Sequence, residues 1–133
     1  MSVDFAFPPI DAVTVRGGFE MMSGHYTNFK NAPFYSSSLG PSGARVGGNT
    51  QSMGDATGFD TVRTPKNTAT VSVAYRVPAP RGSPSFVVSD YYNSGFRGDP
   101  DNRLRQLSFE LVNASVDWNV PKNGWSVRVG AAI

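Results

Sequence analysis

Residues 106–133 read QLSFELVNASVDWNVPKNGWSVRVGAAI, and the alternation within this stretch decides the fold class. Apolar side chains stand at every second position of residues 112–118 and again of residues 125–133. Successive side chains of a β-strand point to opposite faces, so each run predicts a strand with one apolar and one polar face. Residues 121–124, Pro-Lys-Asn-Gly, predict a tight turn because Asn-Gly tolerates positive φ. The stretch is therefore predicted to be a β-hairpin.

Two tryptophans flank this turn, Trp118 before it and Trp125 after it. They lie at the same end of the hairpin and at the same depth. This placement is typical of the aromatic belt at which a membrane protein meets the interface between lipid and water.

Composition narrows the class of protein. The 133 residues include 14 Gly and 10 Pro, a balance that favours strands and turns over helices. The chain has no cysteine, which excludes a disulfide framework and a thiolate site. The net charge is only +2 and the basic residues are scattered, so there is no footprint of nucleic-acid binding.

The sequence contains no apolar run that approaches the roughly 18 residues of a transmembrane helix. Its first residues, MSVDFAFPPIDAV, lack the charged region and apolar core of a signal peptide. If the hairpin belongs to an outer-membrane protein, we expect the chain to lack the beginning of that protein.

Upstream of the hairpin, alternation or β-forming composition predicts strands at residues 2–7, 13–29, 66–77 and 84–96. The pattern is clearest in the third of these, where Val71 and Val73 share one face. In residues 84–96 both faces mix apolar and polar side chains, so the facing stays open. Leu107, Phe109 and Leu111 have the opposite parity to Val112 onward, so we expect a bulge or a buried segment near them.

The connections alternate between short and long. Short breaks are expected at residues 8–12, 78–83 and 119–124, and long ones at residues 30–65 and 97–105. Residues 31–63 are expected to be a long loop, since they are rich in Gly, Ser, Asn and Pro and low in periodicity. Transmembrane β-barrels have short turns on one rim and long loops on the other, with strands of roughly 9–11 residues.

Aromatic residues fall at two levels, as the two girdles of such a barrel would. One group lies by the short turns: Phe5, Phe7, Tyr75, Trp118 and Trp125. The other lies towards the long loops: Tyr26, Phe29, Tyr91, Tyr92 and Phe96. The predicted fold is all-β, an antiparallel up-and-down meander of about six strands or part-strands that forms part of a transmembrane β-barrel.

Four stretches together resemble the C-terminal part of a TonB-dependent outer-membrane receptor. They are GGFEMMSGHYTNFKNAPFY from Gly17, TPKNTATVSVAYRV from Thr64, SDYYNSGF from Ser89, and NRLRQLSFELVNASVDW followed by GWSVRVGAAI. The family pattern Q-P-S-Y-x-L-V-N-A-x-x-x-W has Leu107 here in place of proline and Phe109 in place of tyrosine. The usual closing G-x-N-L is replaced by Gly-Ala-Ala-Ile at residues 130–133.

The resemblance implies that residues 1–133 are a partial receptor barrel, with the plug domain, the signal peptide and the last strand absent. It implies energy-coupled uptake of a ferric siderophore, cobalamin or a glycan in the outer membrane. The implied partners are outer-membrane lipid, the rest of the barrel and its plug, the TonB complex reached through the missing N-terminal part, and an unidentified nutrient ligand. Nucleic acid is not among them, and no enzymatic reaction or cofactor is implied.

Three places were considered as sites of chemistry. His25 is the only histidine and has no carboxylate at a metal-ligand spacing, so a polar strand end is the favoured interpretation. Residues 99–102, Asp-Pro-Asp-Asn, bring oxygen ligands together as calcium sites do, but turn chemistry explains them more simply. Residues 40–49, GPSGARVGGN, lack the ending of a phosphate loop and read equally as a flexible loop or a ligand-contacting one. No catalytic, cofactor-binding or metal-binding residue is predicted.

Charged residues on the polar strand faces are expected to point into a wet lumen: Arg16, Glu20, Arg76, Asp117 and Arg128. A soluble antiparallel β-sandwich, with Tyr and Trp as carbohydrate platforms, is the alternative. A complete small outer-membrane barrel is less favoured because even eight strands are not available. The sandwich would bury Val71, Val73, Val127 and Val129, whereas a barrel wall would expose them to lipid.

Overall fold

The computed structural model describes residues 1–7, 12–79, 82–120 and 125–133. These residues form ten strands: β1 (Ser2–Phe7), β2 (Val13–Met21), β3 (Ala32–Leu39), β4 (Arg45–Gly54), β5 (Asn67–Arg76), β6 (Ser85–Asn93), β7 (Phe96–Arg97), β8 (Arg105–Gln106), β9 (Phe109–Val120) and β10 (Trp125–Ala132). None of the described residues belongs to a helix with the length and apolar character of a membrane span.

Six of the strands form one antiparallel sheet in the order β1-β2-β5-β6-β9-β10. Neighbours in the sheet follow one another along the chain, apart from the inserted pairs β3–β4 and β7–β8. This confirms the predicted all-β, up-and-down meander of about six strands. The sheet is open, with β1 and β10 as its outermost described strands, so it is a partial barrel wall and not a closed barrel.

The register aligns the apolar residues of all six strands. Val15 of β2 lies opposite Val73 of β5, which lies opposite Val88 of β6. Val88 in turn lies opposite Ala114 of β9. These four cross-strand partners point to one side of the sheet. Because alternate side chains of a strand share a face, every second residue of each strand then lies on that same side.

The facing of β6, which its sequence left open, is set by its partners. Val88 and Phe86 share the side that carries Val73 and Tyr75, so Asp90 and Tyr92 lie on that side too. At the far end of β6 the ladder is closed by Ser94, whose N–H donates to the Asn67 carbonyl at 3.0 Å. The Asn67 N–H donates back to the Ser94 hydroxyl at 3.0 Å.

No bulge interrupts β9, and the alternative of a buried segment is wrong too, since Leu107 and Leu111 are exposed. Its pairing with β6 runs without a register shift from Phe109 opposite Asn93 to Asp117 opposite Ser85. The apolar alternation shifts by one residue at Val112 because Val112 lies on the apolar side of the sheet, whereas Phe109 and Leu111 lie on the polar side. There the Phe109 ring packs against Tyr91, with 6.1 Å between ring centroids, while Leu111 stays exposed.

The chain divides into two compact units. The sheet unit comprises Met1–Met21, Asn67–Ser94 and Ser108–Ile133, and the connection unit comprises Met22–Lys66 and Gly95–Leu107. The predicted strand at 13–29 ends at Met21, and one further hydrogen bond runs from the Met22 N–H to the Lys66 carbonyl at 2.9 Å. The predicted strand at 84–96 ends at Asn93, and Phe96 belongs to β7.

Residues 31–63 do not form the long loop that the sequence predicted, because they contain strands β3 and β4. Strands β3 and β4 pair from Ala32 opposite Gly54 to Leu39 opposite Arg45, with a register shift between Ser37 and Leu39. Gly47 and Gly48 in β4 have φ of 85° and 76°, which few other residues tolerate. The stretch lacks a clean period of two because Gly and Ser replace the apolar residues that mark a half-buried strand.

The second long connection also contains a short ladder. Strands β7 and β8 pair through Phe96 opposite Gln106 and Arg97 opposite Arg105, so the predicted polar loop lies between them. Several predicted features fall outside the described residues. They are the turn at 121–124, most of the break at 8–12 and the middle of the break at 78–83.

Candidate functional site

One side of the six-stranded sheet, here called the apolar face, is lined by aliphatic and aromatic side chains that remain exposed. Fourteen of them are Val3, Phe5, Phe19, Met21, Val71, Val73, Tyr75, Phe86, Val88, Val112, Val116, Trp118, Val127 and Val129. Their shared side follows from the strand register. A soluble protein rarely exposes a contiguous apolar surface that spans a whole sheet, so this face is built for an apolar environment or a partner.

Four valines were expected to distinguish a barrel wall from a sandwich. Val71 and Val73 are 42% and 40% exposed, and Val127 and Val129 are 52% and 67% exposed. A sandwich requires the inner faces of its sheets to be packed at core density. The observed exposure agrees with a barrel wall.

The opposite side of the sheet, here called the polar face, carries hydroxyl, amide and charged side chains. Arg16 lies opposite Ser72, and Ser72 lies opposite Ser89, which lies opposite Asn113. Asp117 and Arg128 are direct cross-strand partners, and their side chains form an ion pair. Glu20 and Arg76 also belong to the polar face, because each is four residues along its strand from a polar-face residue, Arg16 or Ser72. The alternation that the sequence predicted is therefore present in the sheet.

An open trough of about 570 Å³ is lined by residues of β1, β2, β5 and β6. Its polar lining includes Asp4, Arg16, Thr70, Ser72 and Tyr91. The absence of a side chain at Gly18 helps to keep it open, since a Cβ there would lie 2.6 Å from an Asp4 carboxylate oxygen. The charged residues that line the trough are Arg16, Asp4 and Asp90.

Two acidic residues lie on the apolar face and were not assigned to it from the sequence. Asp90 lies opposite Val71 and Val112, and Glu110 lies opposite Tyr92. They sit at the end of the sheet that leads into the long connections. One carboxylate oxygen of Asp90 is buried and has no hydrogen-bond partner in the described residues. The charge-free part of the apolar face therefore extends from the short connections to about Val71.

Aromatic residues mark the short-connection end of the apolar face. Tyr75 lies opposite Phe86, and Trp118 lies opposite Val127, near the paired ends of β9 and β10. Trp125 begins β10 opposite Val120, and its side chain lies outside the described part of the structure. Of the residues predicted for the belt at this end, Phe5, Tyr75 and Trp118 lie on the apolar face, and Phe86, which was not among them, lies beside Tyr75.

In the connection unit, Asp60 joins three segments of chain. The Asp60 carboxylate lies 3.2 Å from Nδ1 of His25 and 3.9 Å from both the Lys66 ammonium and the Arg97 guanidinium. His25 and Asp60 also form an isolated β-bridge. His25 thus lies four residues beyond the end of β2, in a polar cluster centred on Asp60. Among the described residues no group of three His, Cys, Asp or Glu side chains is placed to hold a metal ion.

The carboxylates of residues 99–102 are engaged by the turn itself. Asp99 accepts a hydrogen bond from the Leu104 N–H at 3.0 Å, and Asp101 accepts one from the Arg103 N–H at 3.2 Å and pairs with the Arg103 guanidinium. Partial burial raises the pKa of Asp99, and its contact with Asp101 adds to the rise. At Asp101 burial also raises the pKa, but hydrogen bonds from Asp99 and Arg103 outweigh it and lower the pKa. These partners account for the cluster without a bound cation.

Residues 40–49, expected to be a loop, form the tip of the β3–β4 hairpin and the first half of β4. The tip turns through hydrogen bonds from the Gly43 N–H to the Gly40 carbonyl and from the Gly40 N–H to the Ala44 carbonyl, at 2.9 and 2.8 Å. All of β4 up to Met53 is exposed. This hairpin is an accessible surface.

The comparisons with known proteins agree with this geometry. The sequence model of the family described as "TonB dependent receptor-like, beta-barrel" matches residues 6–132. Comparisons with curated proteins and with solved structures give no significant match. The match spans nearly the whole chain and includes five strands of the sheet and the end of β1, so the chain belongs to the TonB-dependent receptor β-barrel family.

Proposed function

We propose that this chain forms part of the wall and rim of an outer-membrane receptor that imports a scarce nutrient with energy supplied through TonB. The observation that carries the proposal is the division of one antiparallel sheet into an exposed apolar face and an opposite polar face. In a bilayer such a wall satisfies its backbone between strands and places apolar side chains against lipid.

The open edges of the sheet support a further part of the proposal. Strands β1 and β10 each have one described neighbour, β2 and β9. Unpaired strand edges are costly in lipid, so the remaining strands of a larger barrel would complete both edges. The plug domain, the signal peptide and the last strand would belong to parts of the receptor outside residues 1–133.

The receptor would carry out transport and no chemical reaction. Its nutrient would be a ferric siderophore, cobalamin or a glycan, which the connection unit and other rim segments would contact. The polar face would line the lumen, where Arg16, Asp117 and Arg128 would meet solvent or the plug. Outer-membrane lipid, the remainder of the barrel and the TonB complex would be its partners.

Uptake in isogenic cells with and without TonB tests this function. We expect the receptor that contains this chain to fractionate with the outer membrane and to support uptake of its nutrient only when TonB is present. A soluble periplasmic or cytoplasmic product, or uptake that is unchanged by loss of TonB, would contradict the proposal.

A further inference from the structure

The β3–β4 hairpin has one face whose polar side chains have no hydrogen-bond partner among the residues that the structure describes. This face, here called the amide face, consists of the cross-strand pairs Pro33–Met53, Tyr35–Gln51 and Ser37–Asn49. Tyr35 is 49% exposed, and Ser37, Asn49 and Gln51 are exposed as well. None of these four side chains makes a hydrogen bond with the described residues. The face thus presents an aromatic ring beside a hydroxyl and two amides, all free to bind something else.

The other face of the same hairpin is satisfied internally. The Ser38 and Thr50 hydroxyls hydrogen-bond each other at 3.0 Å. The Phe34 ring covers Gly54 so closely that a Cβ there would lie 2.2 Å from Cε2 of the ring. Ala32 at the base of β3 is fully buried. One face of the hairpin therefore holds the structure together, and the amide face is left available.

Charge is nearly absent from the hairpin. Residues 31–54 contain a single charged side chain, Arg45, which lies at the tip opposite Leu39. An anionic ligand would be recognised by a cluster of Arg or Lys, since charge-assisted hydrogen bonds are the strong ones. The amide face has no such cluster, so its chemistry suits a neutral ligand.

The hairpin is also held in place near Tyr35. The Arg103 guanidinium donates a hydrogen bond to the Tyr35 carbonyl and pairs with Asp101 in the neighbouring turn. This anchor lies within the connection unit and uses the backbone of Tyr35, which leaves the ring free. Holding the platform in place before binding lowers the entropy cost of ordering it around a ligand.

We propose that the amide face binds a neutral oligosaccharide, which selects the glycan class among the nutrients named above and rests on the proposed transport function. The Tyr35 ring offers an apolar surface to the C–H face of a sugar ring. Gln51 and Asn49 each carry both a donor and an acceptor, the combination that pairs with adjacent sugar hydroxyls. Met53 and Pro33 extend the apolar strip along the hairpin.

A binding assay on the intact receptor tests the inference. The detergent-purified receptor is presented with an array of neutral gluco-, xylo-, galacto- and manno-oligosaccharides of four to eight units, alongside a ferric siderophore and cobalamin. Dissociation constants are measured for Tyr35→Ala, Tyr35→Phe and Gln51→Ala. The matched control is Ser52→Ala, which changes a neighbouring position on the opposite face of the same strand.

We expect a neutral oligosaccharide to bind, Tyr35→Ala to weaken that binding about tenfold or more, and Tyr35→Phe to retain most of it. Ser52→Ala should leave it unchanged. An outer-membrane, TonB-dependent receptor that binds no neutral oligosaccharide, or binds one equally well with Tyr35→Ala, would overturn the glycan inference and leave the transport function standing. Binding of the siderophore or cobalamin alone would overturn it too.

Discussion

At the scale of single residues, the closest fit in the sheet is between Phe5 of β1 and Gly17 of β2, which are direct cross-strand partners. A Cβ at position 17 would lie 2.3 Å from Cζ of the Phe5 ring, far inside van der Waals contact. Gly in a strand normally weakens it, because the residue loses more entropy on folding than any other. Here the missing side chain is what allows the ring to cover the backbone.

We therefore expect Gly17→Ala to destabilise the barrel wall by about 1 kcal/mol, the lower end of the cost of overpacking, because the half-exposed Phe5 ring has room to turn away. In a Phe5→Ala background the same change should cost little or increase stability. Urea unfolding of the refolded receptor, run as a double-mutant cycle, measures both. Equal cost in the two backgrounds would show that the contact is not responsible.

A second residue-scale feature is the turn after β4. Hydrogen bonds from the Thr57 hydroxyl and the Thr57 N–H to the Asp55 carboxylate hold the pKa of Asp55 below its ordinary range. The N–H donates at 2.9 Å. The Thr57 hydroxyl also accepts a hydrogen bond from the Phe29 N–H at 3.0 Å. Protonation of Asp55 would remove the charge that these donors favour.

Because the folded pKa of Asp55 is lowered, its stabilising effect is present above the unfolded value of about 4 and is lost as the pH falls through the lowered pKa. We expect hydrogen-exchange protection of the Thr57 amide to fall over that acid range, after correction for intrinsic exchange. Asp55→Asn should have lower protection at neutral pH and no such transition. A transition that persists in Asp55→Asn would assign it to another group.

At the scale of elements, the two faces of β5 differ by a single step along the strand. Val73 lies in the apolar row with Val15 and Val88, and Ser72 lies in the polar row with Arg16 and Ser89. A cationic side chain near the bilayer midplane costs roughly 2–4 kcal/mol on a lipid-facing position, whereas a lumen-facing one remains solvated.

We expect Val73→Arg to destabilise the receptor in lipid vesicles by roughly that amount, ~2–4 kcal/mol, and Ser72→Arg to cost much less. Urea titration of the vesicle-bound protein, followed by tryptophan fluorescence, gives the two free energies of unfolding. Similar costs at both positions would argue against lipid on the Val73 side.

The cross-strand pair Asp117–Arg128 tests the lumen side of the same sheet. Its two side chains are direct partners in the register but Arg128 is largely exposed, so solvent screens the attraction. We expect only a weak coupling in a double-mutant cycle of Asp117→Asn and Arg128→Gln. A strong coupling would place the pair in a desolvated setting, which the exposed polar face does not predict.

The strands of the sheet could be found in the sequence because a half-apolar strand carries a period of two. The position of β5 is predicted by the alternating Val71, Val73 and Tyr75, and that of β10 by Val127 and Val129. The β3–β4 hairpin carries no such signal. Its few apolar side chains are separated by Ser, Asn, Thr and Gly, and Gly47 and Gly48 have positive φ. It was therefore predicted to be a loop.

The alternation of apolar residues also led to a wrong prediction, that of a bulge in β9. Phe109 and Leu111 were read as evidence of a bulge, but they lie on the polar face, where Phe109 finds Tyr91. Sequence patterns assume that apolar residues share one face, and an aromatic pair across strands breaks that assumption without altering the register. The Asp60 network was not predicted, since His25, Lys66 and Arg97 are far apart in the chain and meet only after folding.

At the scale of the whole molecule, the sheet combines two open edges with an exposed apolar face. Both features favour association with other chains in water. We expect residues 1–133, expressed alone, to aggregate in plain buffer and to need detergent. Size-exclusion chromatography with light scattering distinguishes the outcomes, and a monodisperse monomer without detergent would count against a lipid-facing wall.

The most direct test of the central claim is a spin-label scan along β5 in the receptor reconstituted into vesicles, with positions 70–75 changed one at a time to cysteine. Residues 1–133 contain no cysteine, so each introduced cysteine is the only one in this part of the receptor, and any cysteine elsewhere in the receptor is first replaced. We predict high accessibility to oxygen dissolved in lipid at positions 71, 73 and 75 and low accessibility at 70, 72 and 74. Accessibility without this alternation, or with the opposite parity, would contradict the assignment of the apolar face to lipid.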